Sequence, residues 1–306
     1  MLFKELLDRK YNSLWSEFEK LYNLVIDNQT HEGDLLLVRL NAFYNPEVKK
    51  WDNIEAKNPY MFGPNTEGHA EFIHHHFIGK YIKSNTYDKT YDEYLKEVKY
   101  ALEKRQLIDD LTDAESISIQ TEMLIYLKIW ESDIFIKKFW QITNLINNNA
   151  YDWHFNLANS SRSSNFSRDE IIRKKIRNAF KDILPQLYQS FKKAYNKQIR
   201  NAIAHSQYSI LGRHIQIHNY IEADPYSKLK VLSFDDWIDI FHETLVIYTL
   251  YHDFLDIVNT NYGKIALNNE GYFPIRVSRE DPIQEVQYVP VYYREFFKDW
   301  HWQPSN

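Results

Sequence analysis

The chain has 306 residues, of which 44% are hydrophobic and 26% charged, ordinary for a folded protein, so disorder is excluded as its main state. The net charge of −5 excludes a protein that coats nucleic acid by charge alone, and the lack of cysteine excludes disulfides, thiolate metal sites and cysteine nucleophiles. Seven glycines and nine prolines make up about 5% of the chain against a usual ~12%, too few for a turn-rich β sandwich, so long helices are expected.

Apolar side chains at Leu2, Leu6, Leu7, Tyr11, Leu14, Trp15, Phe18, Leu21, Tyr22 and Val25 recur in steps of three and four. They predict an amphipathic helix over 2–26. Charges at Lys4, Glu5, Asp8, Arg9 and Lys10 interrupt any signal-peptide core, and no run approaches the ~18 apolar residues of a membrane span. A soluble, cytoplasmic protein without a membrane partner is expected. From Asn28 to Glu67 the pattern weakens around Pro46, Pro59, Gly63 and Pro64, and Asp34 to Phe43 fits a short strand or a short helix.

Helices are expected at 68–82 and 91–107, with Asp109, Asp110, Thr112 and Asp113 as a junction. Ser116 to Ile146 reads as one helix with a stripe through Met123, Leu127, Trp130, Ile134, Phe135, Phe139, Ile142 and Leu145. The Asn- and Ser-rich stretch after it predicts a long surface loop, closed by a capping box of Ser167 and Glu170. The next helix is expected over 168–204, kinked near Leu184 by Pro185. Alternation around Leu211-Gly212 predicts a β hairpin, and a last helix runs from Phe234 to Asn259 behind Ser233 and Asp236. Residues 262–306 mix Pro274, Pro282 and Pro290 with aromatic and β-prone residues and are expected to pack on the body as an irregular tail. The division that follows is a helical N-terminal region, 1–112, a helical domain, 113–260, and a C-terminal extension, 261–306.

The long motif helix ends in Arg200-Asn201-Ala202-Ile203-Ala204-His205. Asn201 and His205 are four apart and share a helix face, Arg200 reaches the same end, and the helix dipole favours a cation there. Histidine suits general base or acid work near neutral pH, and an arginine fork suits charge developing on a phosphate. Asn201 would hold the phosphate or fix the histidine tautomer. An RNA backbone supplies the 2′-hydroxyl and phosphate for such chemistry, which needs no metal and no other cofactor. Arg177-Asn178-Ala179-Phe180 begins the same way but lacks the matching histidine.

The six residues resemble the Arg-Asn-x-x-x-His signature of the HEPN superfamily of small all-α domains, in a helical context covering about 116–259. The resemblance implies a mainly α, HEPN-like bundle with a small hairpin after the motif helix. It implies an endoribonuclease leaving 2′,3′-cyclic phosphate and 5′-hydroxyl ends, and a homodimer with two motifs facing each other. A role as a toxin or antiphage defence effector, with an antitoxin or regulatory partner, goes with it. The family places a polar or acidic residue of the preceding helix near the site. Here that is Glu131 or Asp133, with Glu131 preferred because it borders Trp130 and the buried face. The competing reading is a non-catalytic HEPN module that binds RNA, a nucleotide or a partner protein through the same cleft.

Other features point more weakly to chemistry. Between Arg162 and His205 eleven basic residues face three acidic ones, a local positive field leading to the motif, with Lys197 nearest to it. Arg213 and His214, at the start of the second hairpin strand, would touch RNA. His214, Gln216 and His218 share one strand face and Ile215 and Ile217 the other. His69, His74, His75 and His76 with Glu71 form the densest histidine cluster, but their spacing misses the metal-binding patterns, and a metal-dependent hydrolase is the weakest reading. Tyr292, Tyr293, Phe296, Phe297, Trp300 and Trp302 would stack unpaired bases or pack against the body.

Overall fold

Apolar residues in steps of three and four do form helices, and the chain is mainly helical. The computed structural model describes residues 1–47, 59–63, 65–99, 101–157, 167–278 and 286–302. Helix α1 runs over Lys4–Asn28, α2 over Asp34–Leu40, α3 over Asn65–Asn85 and α4 over Tyr91–Glu97. Next come α5 over Arg105–Trp130 and α6 over Asp133–Ile146. After a short α7, Arg168–Glu170, the backbone passes through a π turn, Ile171–Ile176, and a 3-10 turn, Arg177–Phe180. Then follow α8 over Pro185–Ala194, α9 over Lys197–Ala204 and α10 over Phe234–Leu267. No helix among the described residues is long and apolar enough to cross a membrane.

The chain divides into two compact units. One holds residues 1–17, 72–132 and 181–250, and the other residues 18–71, 133–180 and 251–306. In the first unit the core is aromatic: Trp130 packs on Phe191 and Tyr195, and Tyr126 lies 5.5 Å from the ring of Trp237. Trp237 is fully buried and donates its indole N–H to Glu122 at 2.7 Å, which satisfies both polar groups away from water. Two-residue strands β1, Leu2–Phe3, β2, Phe43–Tyr44, β3, Tyr60–Met61, and β4, Thr86–Tyr87, come earlier in the chain. Strand β5, Tyr208–Leu211, pairs antiparallel with β6, His214–Ile217, through a turn containing Gly212 at φ 53, and β6 pairs with β7, Val231–Ser233.

In the second unit α6 buries Phe135 and Phe139 against Tyr251, with ring centroids 4.9 and 5.4 Å apart. The Asn28 amide caps its end by donating to the Ile146 carbonyl. The C-terminal residues form an antiparallel meander of β8, Tyr272–Ser278, β9, Val286–Arg294, and β10, Asp299–Trp302.

Several boundaries differ from the sequence expectation. The junction at Asp109 to Asp113 lies inside α5, where Thr112 bonds back to the Ile108 carbonyl and the acidic side chains face water. The stretch 116–146 is two helices, broken at Glu131-Ser132, with Asp133 placed favourably in the first turn of α6. The expected helix 168–204 is broken twice. Leu184 leaves the helix ahead of Pro185, which opens α8, and Tyr195 is extended ahead of Asn196, which caps α9. The tail is a sheet and not irregular, because alternate residues such as Phe273, Ile275 and Val277 are buried on one face. The Ser167–Glu170 capping box is present, and the centre of the loop before it, 158–166, lies outside the described residues.

Candidate functional site

The motif sits on α9 in the first unit, and local chemistry explains why α9 starts where it does. Asn196 accepts hydrogen bonds from the amides of Gln198, at 2.8 Å, and Ile199, at 3.1 Å. Its own amide donates to the buried phenol of Tyr126 on α5 at 3.1 Å. Burial pushes the Tyr126 phenol up, so it stays neutral. Trp130, one turn further along α5, lies against Tyr195 and donates to the hydroxyl of Thr244 at 3.3 Å. Glu131 then caps α5 immediately after this aromatic anchor.

That arrangement brings Glu131 to Arg200. The carboxylate Oε1 lies 3.1 Å from Nη1 of the guanidinium, whose side chain is 17% exposed. Arg200 Nε is buried with no hydrogen-bond partner among the described residues. Asp133, the alternative partner, belongs to the second unit and accepts from Arg168 Nη2 at 2.5 Å. Glu131 and not Asp133 is therefore the acidic neighbour of the motif arginine.

Asn201 is half-buried, and its carbonyl accepts from the His205 amide at 3.1 Å. His205 is the C-cap residue of α9, at φ −110. It is exposed, and its ring makes no hydrogen bond or ion pair among the described residues. Ser206, at φ 52, turns the chain, and the Gln207 amide closes the helix on the Ala202 carbonyl at 2.7 Å before β5 begins. Lys197 opens α9, half-buried and without a carboxylate partner among the described residues.

The hairpin residues part company. His214 is exposed on β6, while Ile215 and Ile217 are buried. His218 shares a 3.0 Å hydrogen bond with the hydroxyl of Ser209. Arg213 is not a free RNA contact: its fork grips Glu115 through Nε and Nη2, both at 2.9 Å, and reaches Asp235 at 3.0 Å. Burial opposes its charge, but Glu115 and Asp235 outweigh burial and hold the guanidinium more firmly protonated than usual.

The histidine cluster does not converge. His69, His75 and His76 are exposed on α3, while Glu71 is taken up by Lys138 at 2.9 Å and by the Tyr251 hydroxyl at 2.5 Å. Burial would raise the Glu71 carboxyl, but Lys138 and Tyr251 hold it below its ordinary range. Among the described residues no group of three or more His, Asp or Glu is placed to hold a metal ion. In the tail, Trp300 donates to Asn259 at 2.9 Å and Tyr293 lies against Gly263, whereas Phe296 and Phe297 are exposed at the β9–β10 turn.

No family model matches the chain, no curated protein matches its sequence, and no solved structure matches its fold.

Proposed function

We propose that the chain is an endoribonuclease that works at the end of α9. His205 would take the proton from an RNA 2′-hydroxyl, whose oxygen attacks the adjacent phosphorus. The bond to the 5′-oxygen breaks, that oxygen leaves with a proton, and a 2′,3′-cyclic phosphate and a 5′-hydroxyl result. Arg200 would meet the charge that builds on the phosphate, Asn201 would position it, and Glu131 would aim Arg200. A second copy of the chain would bring a second histidine for the leaving oxygen. The chemistry asks for no metal, since proton transfer and charge stabilisation are both met by side chains.

The observation that carries this reading is the disposition of α9. One cation is fixed by a carboxylate at 3.1 Å, and an exposed histidine whose ring makes no hydrogen bond or ion pair among the described residues stands where the helix ends. The test is RNA cleavage in EDTA by wild type, Arg200→Ala and His205→Ala. Either substitution should cost about 100-fold or more, with cyclic phosphate ends on the wild-type products. Equal cleavage by all three proteins, or none by any, would sink the proposal. A role as a toxin or antiphage effector predicts growth arrest on expression that His205→Ala relieves.

A second reading is favoured by the same ion pair. Arg200 is mostly buried and already faces a carboxylate, as suits a module that binds RNA, a nucleotide or a partner protein without turnover. It predicts that the two substitutions weaken binding while no RNA is cut.

A further inference from the structure

In the second unit a cavity of about 450 Å3 opens between the 30–32 loop, the last turns of α10 and the β8–β9 ribbon. That volume lies within the range of small-ligand sites. Phe273 and Pro274 give it an apolar wall, and the Tyr288 ring, 64% exposed, stands beside them. Arg276, His31 and Glu32 supply the polar part of the lining.

The loop is held in shape before any ligand arrives. Gly33 has φ 99, and a Cβ there would come within 2.8 Å of the Phe273 ring, so the backbone lies directly on β8. Asp34 accepts from the amides of His31, at 3.3 Å, and Tyr151, at 3.4 Å, and the Thr30 hydroxyl donates to the Asn148 carbonyl at 3.2 Å.

Arg276 decides the ligand's charge. Its Nη1 contacts Nε2 of His31, and it has no carboxylate within ion-pair distance among the described residues. Asp34 acts on Arg276 only through space, and burial raises the Asp34 carboxyl above its ordinary value. A half-buried guanidinium with spare donors on a concave wall suits bidentate capture of an oxyanion. Glu32 on the same wall opposes a polyanion and offers an acceptor to a ligand hydroxyl or amine.

We infer that this cavity binds a small aromatic organic anion, with its single phosphate or carboxylate on Arg276 and its ring against Tyr288 and Pro274. The inference is independent of the α9 reading. It is tested by calorimetric titration of the full chain with adenosine 5′-monophosphate, benzoate, adenosine and inorganic phosphate. One or both ring anions should bind one to one, about tenfold or more tighter than adenosine or inorganic phosphate. Binding of the nucleotide alone assigns a phosphate, and of benzoate alone a carboxylate. Arg276→Gln should weaken binding by about tenfold. Tyr288→Ala, an exposed position that leaves the fold intact, should weaken it severalfold, and Arg200→Ala should leave it unchanged. Absence of binding by either ring anion up to about 10 mM, or equal binding by wild type, Arg276→Gln and Tyr288→Ala, would overturn it.

Discussion

Acidification should destabilise the first unit, and His242 sets the size of the effect. Its ring is fully buried. Nε2 accepts from the Phe3 amide at 2.9 Å, and Nδ1 donates to the Ile238 carbonyl at 2.6 Å. These neighbours fix the neutral tautomer, and a second proton would point Nε2–H at the Phe3 N–H. Burial, foremost, pulls the imidazole from 6.5 down to about 4. The Met1 amino group and Lys10 add to the fall, while the Ile238 carbonyl and Asp239 oppose it. The unfolded chain keeps the ordinary value, so between pH 6.5 and 4 it binds a proton that the folded chain refuses. The contribution of this histidine to stability is therefore complete above its unfolded value and is lost as pH falls, by about 1.4 kcal/mol per unit and about 3 kcal/mol in all. That is a large share of the 5–15 kcal/mol typical of a domain. Urea denaturation followed by tryptophan fluorescence at several pH values measures it. His242→Gln keeps an acceptor for Phe3 but cannot titrate. It should be less stable at neutral pH and lose about 3 kcal/mol less than wild type on acidification. Parallel acid limbs for the two proteins would refute the reasoning.

Four further substitutions probe the α9 site and the loop before α2. Glu131→Gln should cost about 1 kcal/mol or less, since its carboxylate is partly exposed and solvent screens the pair. Yet it should change RNA cleavage measurably, while Asp133→Asn, whose partner is Arg168, should not; kcat and KM for both variants decide this. Asn196→Ala removes the acceptor for two amides of α9 and should cost about 1 kcal/mol, with faster hydrogen exchange at Gln198 and Ile199. Gly33→Ala demands a left-handed backbone from a residue with a Cβ and presses on Phe273. It should cost about 1–3 kcal/mol in thermal or chemical melts.

What the sequence made legible was local. Ser167 with Glu170, Ser233 with Asp236, and the alternation across Gly212 act over two to four residues, and each stands in the structure. The start of α9 has a local signal too, since Asn196 is a strong capping residue. Its apolar neighbours continue the helical stripe on both sides, and the break at Tyr195 is set by a bond to Tyr126, 70 residues away. The pairing of Arg200 with Glu131 was legible only as a choice between two carboxylates. The break at Ser132 resolves it by placing Asp133 on the next helix, at Arg168. The interleaving of the two units and the cavity around Arg276 left no periodic trace. The cavity's residues come from segments more than 200 positions apart, and only tertiary packing unites them.

The charge of the basic run now has a location. Arg168, Arg173 and Lys174 are paired with Asp133, Asp169 and Glu170 in the second unit, and Lys193 and Arg200 with Asp239 and Glu131 in the first. Pairing cancels most of the field that each would cast on a phosphate. Lys192 and Lys197 are different: they flank the Tyr195-Asn196 break and have no carboxylate partner among the described residues. If RNA reaches α9, these two lysines release counterions from it and the paired residues contribute little. Removing one lysine–phosphate pair on a single strand should reduce the slope of log affinity against log salt by about 0.7, so Lys192→Ala with Lys197→Ala should reduce it by about 1.4. Lys174→Ala should leave the slope unchanged. RNA binding by the three proteins over a range of salt concentrations tests this. A slope reduced as much by Lys174→Ala as by the double substitution would place the RNA on the paired charges and away from α9.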